Sequence, residues 1–281
     1  MAILAGVSIF LLVTSLPAFS GPNEMTRGKS FLAWVAPLLF GTVLAATLAL
    51  LIAVPLAIGV ALFISHYAPR RVASALGYVI DLLAAVPSVV FGLWGSTWLA
   101  TQLKPVYAWL ATHASFIPFF AGPASTTGRT MFTVGVVLAV MILPIMTAIC
   151  REVFLQTPRL HEEAALALGA TRWEMIRMTV LPHARSGIVS AAMLGLGRAL
   201  GETMAVTLVL SVGGGISFNL IGASNPATIP ANIALNYPEA TGVGVNTLIA
   251  SGLVLFVLTF AVNAAARAVL ARRKDFAGAN G

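Results

Sequence analysis

Six stretches of this chain are apolar and long enough to cross a bilayer, and that pattern limits the possible folds more than any other feature. They fall at roughly 2–19, 35–65, 74–100, 131–150, 188–210 and 246–266. A spanning helix needs about 20 predominantly apolar residues. Hydrocarbon offers no partner to a free N–H or C=O, so the backbone must satisfy itself within each segment. The expectation is an all-α, polytopic helical bundle of about six transmembrane helices, forming a single domain over 1–281. Composition agrees: 59% of the 281 residues are hydrophobic and 9% are charged, against about 25% charged in soluble domains.

The second run exceeds one perpendicular span, and Pro37 and Pro55 mark an interfacial start and a kink. In the first run, Ala18-Phe19-Ser20 loosely resembles a signal-cleavage site, but no Lys or Arg precedes Arg27, as a signal peptide would require. That run opens at Met1 itself, which suggests a short polar leader absent from this chain. Residues 101–130 read as an interfacial lid or re-entrant piece. Residues 211–245, rich in Gly, Pro and Asn, read as a long loop with no element of its own.

The net charge of +7 raises the question of a nucleic-acid partner. The charges instead lie in short patches between apolar runs, so lipid headgroups are the expected partner and nucleic acid is not. Counted by alternating loops, eleven Lys and Arg fall on one side and four on the other, with Arg198 inside a span. The positive-inside rule then puts the 151–187 loop and both termini in the cytoplasm of a bacterial inner membrane. Cys150 lies in an apolar run, which excludes a disulfide framework, and the four histidines have no metal-ligand spacing. Gly28-Lys29-Ser30 ends like a phosphate-binding loop, but Asn23 stands where its first glycine belongs and no strand precedes it. No catalytic constellation is found, so the chain is not expected to be an enzyme.

Residues 157–182 predict a two-helix knob. Thr157 is placed as N-cap of a first helix starting at Pro158 and stopping at Gly169, a residue suited to a left-handed turn. Thr171 and Glu174 read as a capping box opening a second helix, which Leu181-Pro182 ends. The knob is expected to expose Trp173 and Met175. Such a surface suits either force transmission from a soluble partner or an ordinary helical hairpin.

The fifth run carries Arg198 close to the midplane, where an arginine costs about 2.5–3.5 kcal/mol on insertion scales. Glu202 lies four residues on, so both side chains are expected to share one helix face. Two readings stand: a buried structural salt bridge, or an anion site whose guanidinium fork takes two oxygens of a tetrahedral oxyanion. Gly195, Gly197 and Gly201 would let another helix approach closely. Asp81, in the third run, is a candidate second pathway carboxylate, a partner for Arg198, or a topology or packing charge at the cytoplasmic interface.

Glu163-Ala164-Ala165, then Gly169, then Leu181-Pro182 resembles the EAA motif of ABC importer permeases, although Thr179 stands where that motif has an aliphatic residue. The segment Gly197-Arg198-Ala199-Leu200-Gly201-Glu202-Thr203 resembles the fifth span of phosphate-importer permeases, the PstC type more closely than the PstA type. Ala85-Val86-Pro87-Ser88, Met141-Ile142-Leu143-Pro144 and Thr228-Ile229-Pro230-Ala231-Asn232 agree with it, so the likeness covers about 30–270. It implies a type I ABC importer permease (MetI-like) fold in a phosphate uptake system. Its implied partners are a PstA-type sister permease, two ATP-binding cassette subunits that use ATP and Mg, and an extracytoplasmic phosphate-binding protein. This chain itself would hold no cofactor. Arg198 and Glu202 would be pathway residues, with Asp81, read from its position alone, as a further candidate. Glu163, Ala164, Ala165, Gly169, Thr171, Glu174 and Pro182 would couple to the ATPases. A sister-type subunit, or a permease for sulfate or molybdate, is the alternative within the same architecture.

Overall fold

The computed structural model describes residues 2–21 and 23–278, and every regular element among them is helical. One isolated parallel bridge, Val212 with Asn225, is the only strand-like pairing among the described residues. The helices are α1 (Ala2–Ser15), α2 (Phe31–Leu62), α3 (Arg70–Ala84), α4 (Ser88–Trp94), α5 (Ala100–His113) and α6 (Met131–Leu155). There follow α7 (Arg159–Ala167), α8 (Arg172–Met175), α9 (Leu181–Gly201), α10 (Met204–Val209), α11 (Ile229–Asn236) and α12 (Val243–Gly278). Widened π turns at Phe63–Tyr67, Gly95–Leu99 and Ile176–Val180 extend or join several of them.

All six apolar runs are helical, but they differ in continuity. By length and composition, Phe31–Tyr67, Met131–Leu155 and Val243–Ala268 can each cross a membrane unaided. Arg70–Ala84 and Ser88–His113 make a fourth if that bent pair counts as one span. The third run therefore breaks near 85–87 rather than running straight. A proline pushes the residue before it out of helical geometry, and Pro87 itself takes the extended conformation that starts α4. The fifth run also breaks, at Glu202 and Thr203.

The chain divides into two compact units, 1–48 with 87–138 and 199–262, and 49–86 with 139–198 and 263–281. Four of the five passages of the chain from one unit to the other lie within helices, α2, α6, α9 and α12.

In the first unit the 211–245 segment is not a bare loop. It carries α11, whose first residue Ile229 is buried and donates its N–H to the Thr42 hydroxyl at 2.9 Å. Thr228 caps that helix by accepting from Ala231 N–H. Asn225 accepts from the Met131 N–H at 3.1 Å and donates to the carbonyls of Ser211 and Gly222. The Ala227 carbonyl lies where a Cβ on Gly41 would have to stand, so glycine is required there. Residues 101–113 are also regular, since α5 continues to His113 despite Pro105. Tyr107 is buried, its hydroxyl 2.7 Å from that of Thr133.

In the second unit a core of Phe154, Cys150, Ile176, Val180, Ala184 and Ala191 joins α6 to α9. Ala61 and Leu62 of α2 extend it, as do Ala165 of α7 and Met175 of α8. The helical hairpin at 159–175 is thus fastened through its apolar face.

Candidate functional site

The knob forms as two short helices around a glycine turn. Gly169 has φ +87, and its N–H donates to Leu166 O (3.0 Å) while Ala170 N–H donates to Ala165 O (3.2 Å). Those two bonds satisfy carbonyls the helix would otherwise leave open, and the second forms only with a left-handed residue at 169. Thr171 opens α8 with a full capping box: its hydroxyl accepts from Glu174 N–H, and its own N–H donates to Glu174 Oε2 at 2.8 Å. The Thr171 hydroxyl also donates to that carboxylate, and together the two bonds hold the Glu174 carboxyl below the usual carboxylate range.

Three details depart from the sequence expectation. Thr157 does not cap α7, which starts at Arg159; its hydroxyl is buried with no hydrogen-bond partner, and Pro158 occupies the cap position in extended geometry. Met175 is buried, and the exposed large apolar side chains of the knob are Leu160, Leu166, Leu168 (90% exposed), Trp173 and Met178. Pro182 does not end the second helix. The π turn before it replaces the usual bond with one from Leu181 N–H to Ile176 O, and α8 continues through α9 without a stop. Of the EAA residues, Glu163 and Ala164 are exposed while Ala165 packs inward. An open hollow of about 580 Å³ lies along Ala164, Leu168, Gly169, Met178 and Thr179.

Arg198 occupies the last turn of α9, partly exposed, and makes no hydrogen bond or ion pair with any described residue. It lines an open hollow of about 480 Å³ with Ile145, Ser190, Met193, Leu194 and Asn263. Arg198 is the single charge in that lining. Glu202 is not on a shared helical face, because α9 ends at Gly201. Its Oε1 instead accepts from Ala205 N–H at 3.1 Å and so starts α10, while the Thr203 hydroxyl donates to Gly201 O. Short polar side chains that can bond the backbone, next to a glycine, favour such a break. Irregular backbone at membrane depth persists where it is enclosed by protein or borders an aqueous cavity.

The small residues divide in role. A Cβ on Gly195 would meet the Met146 sulfur, so Gly195 serves packing within the chain. A Cβ on Gly197 or Gly201 would meet nothing within 4 Å, and both are exposed. Asp81 is exposed on α3, with no ion pair and no hydrogen bond among the described residues, and the structure does not bring it to Arg198.

The sequence did not signal one cluster. His66 Nε2 lies 3.7 Å from Glu162 Oε1, the one ion pair among the described residues. Arg172 stands over the Tyr67 ring at 5.8 Å and donates to His66 O. These contacts fasten the end of α2 to both knob helices. Only the shared side of the charge asymmetry could have paired residues so distant in sequence.

The family model for a binding-protein-dependent transport system inner membrane component matches residues 53–275. A phosphate transport system permease protein PstC 2 from Mycobacterium bovis is 48% identical over 276 residues, covering 94% of this chain and 85% of that relative. The Mycobacterium leprae phosphate transport system permease protein PstC is 45% identical, covering 93% and 86%. A bacterial ABC transporter involved in import of the acidic polysaccharide alginate has a similar fold, with TM-score 0.63, 16% identity and coverage of 95% and 94%. The MetNI methionine ABC transporter in inward-facing conformations matches with TM-score 0.53, 19% identity and coverage of 85% and 97%. This chain therefore belongs to the binding-protein-dependent inner membrane transport components, as a multi-pass membrane permease of the branch whose members carry the name PstC.

Proposed function

We propose that this chain is a transmembrane subunit of an ATP-driven importer that carries inorganic phosphate inward, with its knob and both termini in the cytoplasm. The observation that carries the reading is Arg198, a costly guanidinium in an apolar helix, facing an open hollow with no protein partner. A planar fork of donors matches two oxygens of a tetrahedral anion. Leaving that fork unpaired keeps it available to a travelling ion, whereas a structural salt bridge would commit it. Glu202 serves the same site indirectly: it holds the helix break beside Arg198 by capping α10.

The partners that complete the machine are a PstA-type sister permease, two ATPase subunits using ATP and Mg, and an extracytoplasmic phosphate-binding protein. The ATPases seat on the exposed face of the knob, where Leu168 and Trp173 present apolar surface beside Glu163. Closure of the ATPases displaces the knob, and the continuous helix through α9 carries that displacement to Arg198. Asp81, exposed and outside the lining of this hollow, acts as an interfacial charge rather than as an anion contact.

The test is Arg198→Gln in vesicles containing the whole transporter, with labelled phosphate, sulfate and molybdate compared. Phosphate uptake should fall to background while the ATPase subunits still co-purify. Normal uptake by the variant would refute the anion contact. Wild-type preference for sulfate or molybdate would refute the substrate.

A further inference from the structure

The turn after the first apolar run is held more firmly than a short connection requires. Asn23 N–H donates to the Thr26 hydroxyl at 2.9 Å, and Thr26 N–H donates back to Asn23 Oδ1 at 3.0 Å. The Asn23 amide also donates to the Thr247 hydroxyl of α12, and Thr26 is fully buried. The turn sets Arg27 at φ +52, the one non-glycine with positive φ among the described residues. Side chains other than glycine enter that region only where the surroundings impose it.

Beside this turn, within the same compact unit, a hollow of about 600 Å³ opens, and Arg27 and Lys29 line it. So do Glu24 and Glu239, and none of the four has an ion pair or hydrogen bond from its side chain among the described residues. Gly214 and Gly215 border the hollow with φ +71 and +94, and their N–H groups have no carbonyl partner. Cations, free amides and carboxylates thus line one hollow without ion pairs among them.

That set matches one chemistry. Two cations and two amides take the charged oxygens of a tetrahedral anion. The two carboxylates accept hydrogens in return, which a protonated phosphate supplies from its P–OH groups. Sulfate at neutral pH has no such hydrogen, and neither has a phosphodiester headgroup. We infer that this hollow is a second binding site, for protonated inorganic phosphate, formed by loops that the proposed topology places outside. Its outward placement rests on the orientation proposed above.

The complete transporter in phosphatidylcholine nanodiscs, without binding protein, gives the test. An amine reagent is applied and the Lys29 peptide is quantified by mass spectrometry, with Lys104 as internal reference. Inorganic phosphate at about ten times its dissociation constant should slow Lys29 labelling roughly tenfold. Sulfate should leave it unchanged, and Arg27→Gln should remove the protection. No protection, or equal protection by sulfate, would overturn the site. Protection without added phosphate in phosphatidylglycerol nanodiscs, lost in phosphatidylcholine, would assign the hollow to a lipid headgroup and overturn it too. Vesicle uptake separates the two proposals: phosphate import without Lys29 protection removes this site alone, and protection without import removes the transport reading alone.

Discussion

Replacing Gly169 by alanine should loosen the ATPase from the permease by a calculable amount. At φ +87 an L-residue is penalised by about 1–2 kcal/mol, because its Cβ crowds the neighbouring carbonyl. No heavy atom of the rest of the chain lies within 4 Å of a Cβ built there, so no further clash adds to that cost. The bond from Ala170 N–H to Ala165 O depends on the left-handed turn. The properly turned knob should therefore lose a factor of roughly 5–30 in population. The assay is the dissociation constant of the ATPase subunit for the permease in nanodiscs, measured for the wild type, Gly169→Ala and Gly169→Asn. Alanine should weaken docking by that factor. Asparagine should recover most of the loss, since its short polar side chain tolerates the left-handed region. Equal weakening by both would show that added bulk, not backbone conformation, is at fault. Unchanged docking by alanine would refute the requirement for the turn.

Glu174 gives a pH-dependent prediction. The Thr171 hydroxyl, and then its N–H, lower the carboxyl pKa, so the stabilisation is present above the ordinary carboxylate range and lost as pH falls through the lowered value. The difference in thermal midpoint between the wild type and Glu174→Gln should accordingly shrink in acid, and a difference that grows there would contradict the capping role. Gly197→Ala should leave the isolated chain as stable or up to about 1 kcal/mol more so, because nothing occupies its open face. Co-purification of the sister permease should fall in the same variant, and intact assembly even with Gly197→Leu would remove that face from the interface. Gly187→Ala should instead destabilise the chain itself, since its Cβ would strike the Val153 methyls; a thermal midpoint unchanged in detergent would contradict this. Tyr107→Phe should cost about 1 kcal/mol through loss of the buried bond to Thr133, read as a lower thermal midpoint.

The local signals in the knob were legible because its geometry is decided by neighbours in sequence. Thr171 and Glu174 cap each other across three residues, and Gly169 is the one nearby residue free to turn left-handed. Pro182 misled for a physical reason. Proline forbids an ordinary helical bond at its own nitrogen, but a widened turn just before it absorbs the mismatch and the helix survives. The break at Glu202 was hidden because Ala205 N–H found a carboxylate in place of a carbonyl, and no hydropathy count sees that exchange. Residues 211–245 looked structureless since their glycines and prolines suppress every local pattern. What orders them is distant: the Thr42 hydroxyl under Ile229, and the Met131 amide on Asn225. The His66–Glu162 pair was invisible for the same reason.

The unbroken rod at 172–201 has a mechanical consequence. Its foot and Arg198 are about 26 residues apart, or roughly 40 Å at 1.5 Å per residue. Tilting such a lever by about 10° sweeps its far end through roughly 7 Å, comparable to the whole width of a hydrated oxyanion. The widened turn at Ile176–Val180 and Pro182 lie between them, so how stiff that stretch is sets how much of a displacement at the foot reaches the guanidinium.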